Sequence, residues 1–260
     1  MELIPLKSRR FQKGSPLSPL LRESLKAAPP RSANQYPRPN QSPGGPKAPQ
    51  GESLLDGDIL VIASKVLAYS QGLLVRVADA DDFRELVRRE ADRVLYEGDM
   101  VLTLKNNVLI PNAGIDQSNT PEGEAVLWPE KPFEAARSLR TELMGEFGLS
   151  RLGIVISDSH CQPLRVGTTG IAIGWAGFEG VVDERGAKDL YGRKMAYTQI
   201  AVADNLASAA NLLMGETDAS VPFVIVRAFA AHFTEKEASD GDYFMEPGKC
   251  LYSPLYRFGP

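Results

Sequence analysis

The sequence predicts an α+β fold, with mixed and antiparallel sheets carrying packed helices. Two observations lead there. Apolar runs of strand length recur at 59–63, 100–104, 108–110 and 221–226, two of them close enough to form a β-hairpin. Separate segments carry helical apolar periodicity, and the two kinds do not alternate as regular strand–helix–strand units, which favours α+β over a doubly wound parallel sheet.

In chain order, residues 2–6 read as a short strand leading into the basic Lys7-Ser-Arg-Arg10. Leu17, Leu20, Leu21 and Leu25 share one helical face over 17–26. Seven prolines then fall between Pro29 and Pro49 among Ser, Asn, Gln and Gly, a composition unable to build a core; residues 28–52 are expected to be a flexible insertion in a single unit spanning 1–260. Asp56-Gly-Asp58 turns into the strand Ile59–Ala63, at whose end Ser64 and Lys65 escape the core. A second apolar run covers Leu73–Val75.

Asp79 to Asp82 offer N-caps for a helix with Phe83, Leu86, Val87, Ala91, Val94 and Leu95 on one face, ended by Gly98. The hairpin over 100–110 delivers a polar loop, Pro111 to Asn119, built of small residues around Asp116. A helix from Pro132 turns Ala136, Leu139, Leu143 and Phe147 inward and stops at Gly148. Ile154-Val-Ile156 starts a strand that breaks at Ser157-Asp-Ser159. After a Pro-Leu-Arg turn, Gly167, Gly170, Gly174, Gly177 and Gly180 punctuate a second apolar run, read either as backbone approaching a ligand or as two closely packed strands. Residues 199–214 form the clearest helix, with Val202, Leu206, Ala209 and Leu213 on one face, and the strand 221–226 follows. The acidic, aromatic tail 232–260 carries no assignable pattern.

Composition narrows the function. With 29 basic against 33 acidic residues, no global field gathers nucleic acid or anionic lipid. No apolar signal core or membrane-length run is present, so a cytoplasmic protein with no membrane or nucleic-acid partner is expected. Cys161 and Cys250 are too isolated for a disulfide framework or a zinc site. Neither the Gly-x-x-x-x-Gly-Lys-Ser/Thr loop nor the Gly-x-Gly-x-x-Gly fingerprint occurs. His160 and Cys161, adjacent in extended chain, point to opposite sides and make no dyad. Asp116, Asp158 with Ser159, and Glu216 with Asp218 each sit in a turn at the end of a regular element. Oxygen ligands of this kind suit Mg²⁺ or Mn²⁺ together with phosphate, with Asn119, Arg165 and Arg193 nearby in the motifs; taken singly each is more often a turn-former or helix cap.

Read together, Asn112 to Asn119, Ile156-Ser-Asp-Ser159, Gly167 to Gly174, Asp189-Leu-Tyr-Gly-Arg193 and Asn211 to Glu216 resemble, in order, the coenzyme F420-0:gamma-glutamyl ligase (CofE-like) family over about residues 56–227. The resemblance implies an α+β, intertwined homodimer that uses GTP and Mn²⁺ or Mg²⁺, with K⁺ as a further cation. It implies that L-glutamate is joined to an acceptor carboxylate, with Asp116, Asp158, Ser159 and Glu216 as metal shell. Ser64, Lys65, Asn119, Met214, Gly215 and Asp218 are the implied nucleotide contacts, and Arg165 and Arg193 the groups placed to stabilise transferring charge. Pro163-Leu-Arg165 stands where a two-arginine version is expected and is similar to a bacterial branch associated with folates, so folate is the alternative acceptor. A nucleotide- and metal-binding regulatory protein without turnover is the alternative outside ligase chemistry.

Overall fold

The structure, a computed structural model, describes residues 1–28, 51–238 and 240–255. The chain opens with β1 (Glu2–Leu6), α1 (Leu17–Ala27) and β2 (Asp58–Ala63), and β2 runs directly into α2 (Ser64–Ser70). β3 (Leu74–Arg76), α3 (Ala80–Glu90), β4 (Arg93–Glu97), β5 (Val101–Lys105) and β6 (Val108–Pro111) follow. Next come β7 (Glu124–Val126), α4 (Pro132–Phe147) and the long hairpin of β8 (Leu152–Cys161) and β9 (Thr168–Ala176). After β10 (Val181–Asp183) and β11 (Gln199–Ala201), α5 (Val202–Met214) leads to β12 (Phe223–Arg227), and α6 (Asp240–Tyr243) lies near the C-terminus.

Five strands form the central sheet in the order β1-β12-β2-β8-β9. All neighbours are antiparallel except β2 and β8, whose parallel register runs from Asp58↔Leu152 to Ala63↔Ser157. Strand alternation divides the core. Leu60, Ile62, Ile154, Ile156, Phe223 and Ile225 face α1 and α4, while Ile59, Val61, Val155, Val224 and Val226 face α5. Helices therefore cover both sides, each fully buried aliphatic side chain contributing about 1.5–3 kcal/mol. Smaller sheets pair β3 with β7, β10 with β11, and β4-β5-β6; the last packs on α3 through Leu86, Val87 and Val101. Asp79 caps α3, accepting from the N–H groups of Asp81 and Asp82 at 3.0 and 2.9 Å. Gly148, at φ 63°, ends α4 as its sequence position predicts.

Four details depart from the sequence reading. Val94 and Leu95 lie in β4 rather than on the helix, because α3 stops at Glu90 and pairing with β5 overrides the helical period. The 3.6-residue repeat of 199–214 begins only at Val202; α5 buries Ala203, Leu206, Ala207 and Ala210, a face rotated from the one the aliphatic residues mark, since small residues let the helix approach the sheet. The strand Ile154–Ile156 does not break at Ser157-Asp-Ser159 but continues to Cys161, its ladder with β9 absorbing a bulge after Ile156. Ser64 and Lys65, expected at a strand end, also open α2.

The proline-rich insertion lies, apart from its ends, outside the described residues. The described part of the tail is anchored: Thr234 N–H donates to Gly177 O at 3.1 Å, and the Arg140 guanidinium takes both carboxylate oxygens of Glu235 at 2.8 and 2.5 Å. No helix among the described residues is long and apolar enough to cross a membrane.

Candidate active site

The parallel register sets the centre of the site. Because Ala63 pairs with Ser157, the first residues beyond each position, Ser64 and Asp158, emerge side by side where β2 gives way to α2. Asp158 and its cross-strand neighbour Ile171 face the α4 side, and the Ser64 hydroxyl donates to the Asp158 carboxylate. The loop after β6 brings in Asp116. Its path is fixed by Gly114, at φ 71°, where an added Cβ would stand 2.0 Å from Trp128 Cε3.

Lys65 Nζ lies 2.6 Å from Asp116 Oδ2 and donates to the Ser118 carbonyl at 2.8 Å and hydroxyl at 3.0 Å. Ser118 in turn donates to Asp116 through its N–H at 2.6 Å and its hydroxyl at 2.8 Å. The two carboxylates consequently differ. Burial pulls Asp116 upward, but the Lys65 and Ser118 hydrogen bonds outweigh it and hold the group below its ordinary range. Burial pushes half-buried Asp158 up to about 6, with the Asp116 charge adding to it, against the Ser159 N–H at 2.8 Å, the Ser64 hydroxyl and the charge of Lys65. A carboxyl held at such a value beside a second carboxylate is relieved by a hard cation, and the donor set, two carboxylates with serine hydroxyls, is all oxygen as Mg²⁺ or Mn²⁺ requires.

The rest of the expected metal shell is not gathered at this point. Ser159 pairs with Gly170 on the face toward α5, opposite Asp158, and reaches Asp158 only through its backbone N–H. Glu216 follows α5 and accepts from Thr168 Oγ1 at 3.2 Å and Asn211 Nδ2 at 3.1 Å. Among the described residues no three His, Cys, Asp or Glu side chains form a metal-sized cluster.

The expected nucleotide contacts converge better. Asn119 Nδ2 donates to Thr217 O at 2.8 Å, closing the Asp116 loop onto the turn after α5, where Met214 ends the helix and Gly215 caps it at φ 68°. Asp218 lies in the same turn, its carbonyl accepting from Ser220 Oγ at 3.2 Å. Tyr69 OH reaches Asn119 O at 3.3 Å.

The two arginines stand apart. Arg165 occupies the exposed tip between β8 and β9, and Arg193 an exposed loop pinned by its N–H to Asp189 Oδ1 at 2.8 Å. Among the described residues, no hydrogen bond or ion pair links either guanidinium to Asp116, Asp158 or Glu216. Beside them Leu164, Val166, Leu190, Tyr191 and Tyr197 are exposed. The sequence reading missed Ser118, Tyr69 and Thr168 as supports. Ser118 and Thr168 fall inside the motifs already quoted, which was the available signal; Tyr69, inside an apolar helix, gave none.

Fold and site together define an α+β protein built around an acidic pair where the parallel strands β2 and β8 meet the loop after β6. The comparison with known families makes this specific: a family model described as F420-0:Gamma-glutamyl ligase matches residues 46–228, and the chain belongs to that family. It is similar to the coenzyme F420:L-glutamate ligase of Methanopyrus kandleri, 36% identical over 196 residues, covering 68% of this chain and 77% of that protein. The enzyme of the same name from Methanothermobacter thermautotrophicus is 34% identical over 197 residues, covering 69% and 78%. That of Halorubrum lacusprofundi is 34% identical over 228 residues, covering 79% and 88%.

Proposed function

We propose that the chain is a GTP- and divalent-metal-dependent gamma-glutamyl ligase that joins L-glutamate to the carboxylate of coenzyme F420-0. The observation that carries the chemistry is the pairing of Asp158, raised to about 6, with Asp116, held low by Lys65. Membership of the family and relatives named as coenzyme F420:L-glutamate ligases support the acceptor.

In this reading Asp116 and Asp158 hold the cation, with Ser64 orienting Asp158. The cation, when bound, neutralises phosphate oxygens of GTP. Lys65 and the Asn119–Thr217 closure position the nucleotide. An acceptor carboxylate oxygen attacks the γ-phosphorus, the bond to the β-phosphate oxygen breaks, and GDP leaves with that electron pair. The lone pair of the glutamate amine then attacks the acyl carbon of the resulting acyl phosphate. The C–O bond breaks, inorganic phosphate departs and the amine loses a proton to solvent, leaving an amide. No protein nucleophile is needed.

The exposed apolar residues at 164, 166, 190, 191 and 197 support a homodimer in which those two protrusions are covered by the second copy. The test is glutamate-dependent GDP release with Mn²⁺, offering F420-0 and a reduced folate separately. Release with F420-0 upholds the reading, release with folate alone changes the acceptor, and GTP binding without release with either favours a regulatory protein.

A further inference from the structure

The β5–β6 hairpin fixes where one carbonyl points. Asn106 and Asn107, at φ 48° and 61°, make its two-residue turn, so Lys105 and Val108 are the hydrogen-bonded closing pair and Leu104↔Leu109 the non-hydrogen-bonded pair that follows. The Leu109 carbonyl therefore points away from β5, off the edge that β6 forms in its sheet. There it accepts a hydrogen bond from His160 Nε2 at 2.7 Å. A carbonyl oxygen only accepts, so Nε2 carries a proton. Among the described residues His160 Nδ1 is buried without a partner, as is the hydroxyl of Thr169 directly across the β8–β9 ladder.

This bond joins the strands that lead to the two carboxylates. His160 is two residues beyond Asp158 on the same face of β8, a separation of about 7 Å along a strand. Leu109 precedes the Asp116 loop, and the stretch between them is tied to its own sheet. The buried Thr103 hydroxyl donates to Ile110 O at 2.6 Å and accepts from the Ala113 N–H at 2.9 Å. Asn112 accepts the Val101 N–H through Oδ1 at 3.0 Å and the Ile115 N–H through its carbonyl at 2.9 Å. The Asp116 backbone exchanges two hydrogen bonds with Val126, at 3.1 and 2.9 Å. The loop consequently moves with β6, and a shift of β6 relative to β8 shifts Asp116 relative to Asp158.

We propose that His160 is the positioning residue of the acidic pair: by donating from Nε2 to Leu109 O it holds β6 against β8, and so sets Asp116 at the distance from Asp158 at which one divalent cation takes both carboxylates. It touches neither the cation nor a substrate; it acts through the backbone of the Asp116 loop. That the two carboxylates hold a cation rests on the ligase reading above, whereas the spacing of the carboxylates is a property of the metal-free chain.

Three variants of the full chain separate the two ring nitrogens. In His160→Gln the amide nitrogen stands as many bonds from the backbone as Nε2 and keeps the donor; in His160→Asn the amide stands at the place of Nδ1 and the donor to Leu109 is lost; His160→Leu has no polar group. Thermal melts establish that each is folded, with Leu replacing Asn should Asn not fold. Binding of Mn²⁺ is followed by the electron paramagnetic resonance signal of the free ion, with no turnover required. Wild type and Gln are expected to bind alike, and Asn and Leu about tenfold or more weakly, the loss typical of a group that orients metal ligands. Metal-free crystal structures are expected to show the Asp116–Asp158 carboxylate separation kept in Gln and altered by about 0.5 Å or more in Asn and Leu. An unchanged separation in Asn and Leu overturns the proposal, as does Gln binding as weakly as Leu while Asn binds like wild type, which would move the effect to Nδ1. If wild type binds no Mn²⁺ but the separation follows the expected pattern, the cation reading falls and the positioning role stands.

Discussion

Lys65 and Asp116 form an ion pair at 2.6 Å between the first turn of α2 and the loop after β6, and the Ser118 carbonyl and hydroxyl hold the ammonium from the other side. Two segments far apart in the sequence are thereby fixed next to Asp158. The pair is partly exposed, so its worth to stability is small, about 0–1 kcal/mol. On the proposed reading its worth to nucleotide binding is larger, because among the described residues Lys65 is the cation paired with Asp116. Lys65→Met is expected to shift the melting temperature little and to raise KM for GTP about tenfold or more, equivalent to about 1.4 kcal/mol. An unchanged KM for GTP removes Lys65 from the nucleotide site.

Asp158 makes stability depend on pH in an unusual direction. A carboxyl raised to about 6 binds its proton more tightly folded than unfolded. The metal-free chain is expected to lose about 2–3 kcal/mol as pH rises from about 4 through about 6 on account of this group. A divalent cation favours the ionised form, so Mn²⁺ is expected to raise the melting temperature more at pH 7.5 than at pH 5. Asp158→Asn is expected to abolish turnover, the pH trend and the Mn²⁺ shift together. An Asn variant that retains the Mn²⁺ shift takes Asp158 out of the cation site.

Arg227 and Asp58 form a buried charge pair in the central sheet. Arg227 donates to both Asp58 oxygens at 2.8 and 2.5 Å, to Glu52 at 3.1 Å and to the Ser53 carbonyl at 2.8 Å. Arg227→Met leaves Asp58 buried without its partner and is expected to cost about 3–5 kcal/mol in denaturant unfolding. The double variant with Asp58→Asn is expected to recover part of that loss; additive losses would mean the pair is not coupled.

Gly170 lets α5 touch β9. A Cβ there would stand 2.4 Å from the Ala207 carbonyl oxygen, backbone that cannot rotate away. Gly170→Ala is expected to destabilise by about 1–3 kcal/mol, as overpacking does, and to weaken activity by shifting the Glu216 turn that follows α5. A neutral effect on unfolding would show that the helix has slack.

Leu164 and Val166 extend into solvent at the hairpin tip. If the proposed homodimer forms through this tip, changing both to Asp is expected to convert it into a monomer in sedimentation while leaving the circular dichroism unchanged. A dimer that survives places the interface elsewhere.

The strands and most helices were legible because their apolar periods are strong and their stops are chemical: Asp79 opens α3 and Gly148 closes α4. β4 was not, since Val94 and Leu95 continue a helical period and only pairing with β5 makes them a strand. The face of α5 was misread because aliphatic residues marked one side while close packing selected the alanines. Of the site, the motifs named Asp116, Asp158 and Asn119, but no spacing reveals that Ala63 pairs with Ser157. That register, which sets Ser64 beside Asp158, is a long-range fact. The separation of Glu216 from the pair was equally invisible, being decided by its tertiary contact with Thr168 at the start of β9.

The order β1-β12-β2 in the central sheet has a consequence for synthesis of the chain. The strand that joins the first two is among the last to be made, so a nascent chain holds β1 and β2 without their common neighbour. Until residues 223–227 emerge, the apolar strand Ile59–Ile62 stands as an open edge, the kind of surface that pairs with other chains. A ribosome stalled before that point, or a gene truncated there, therefore yields a polypeptide whose fate is to be captured by a chaperone or to aggregate, rather than a smaller working protein.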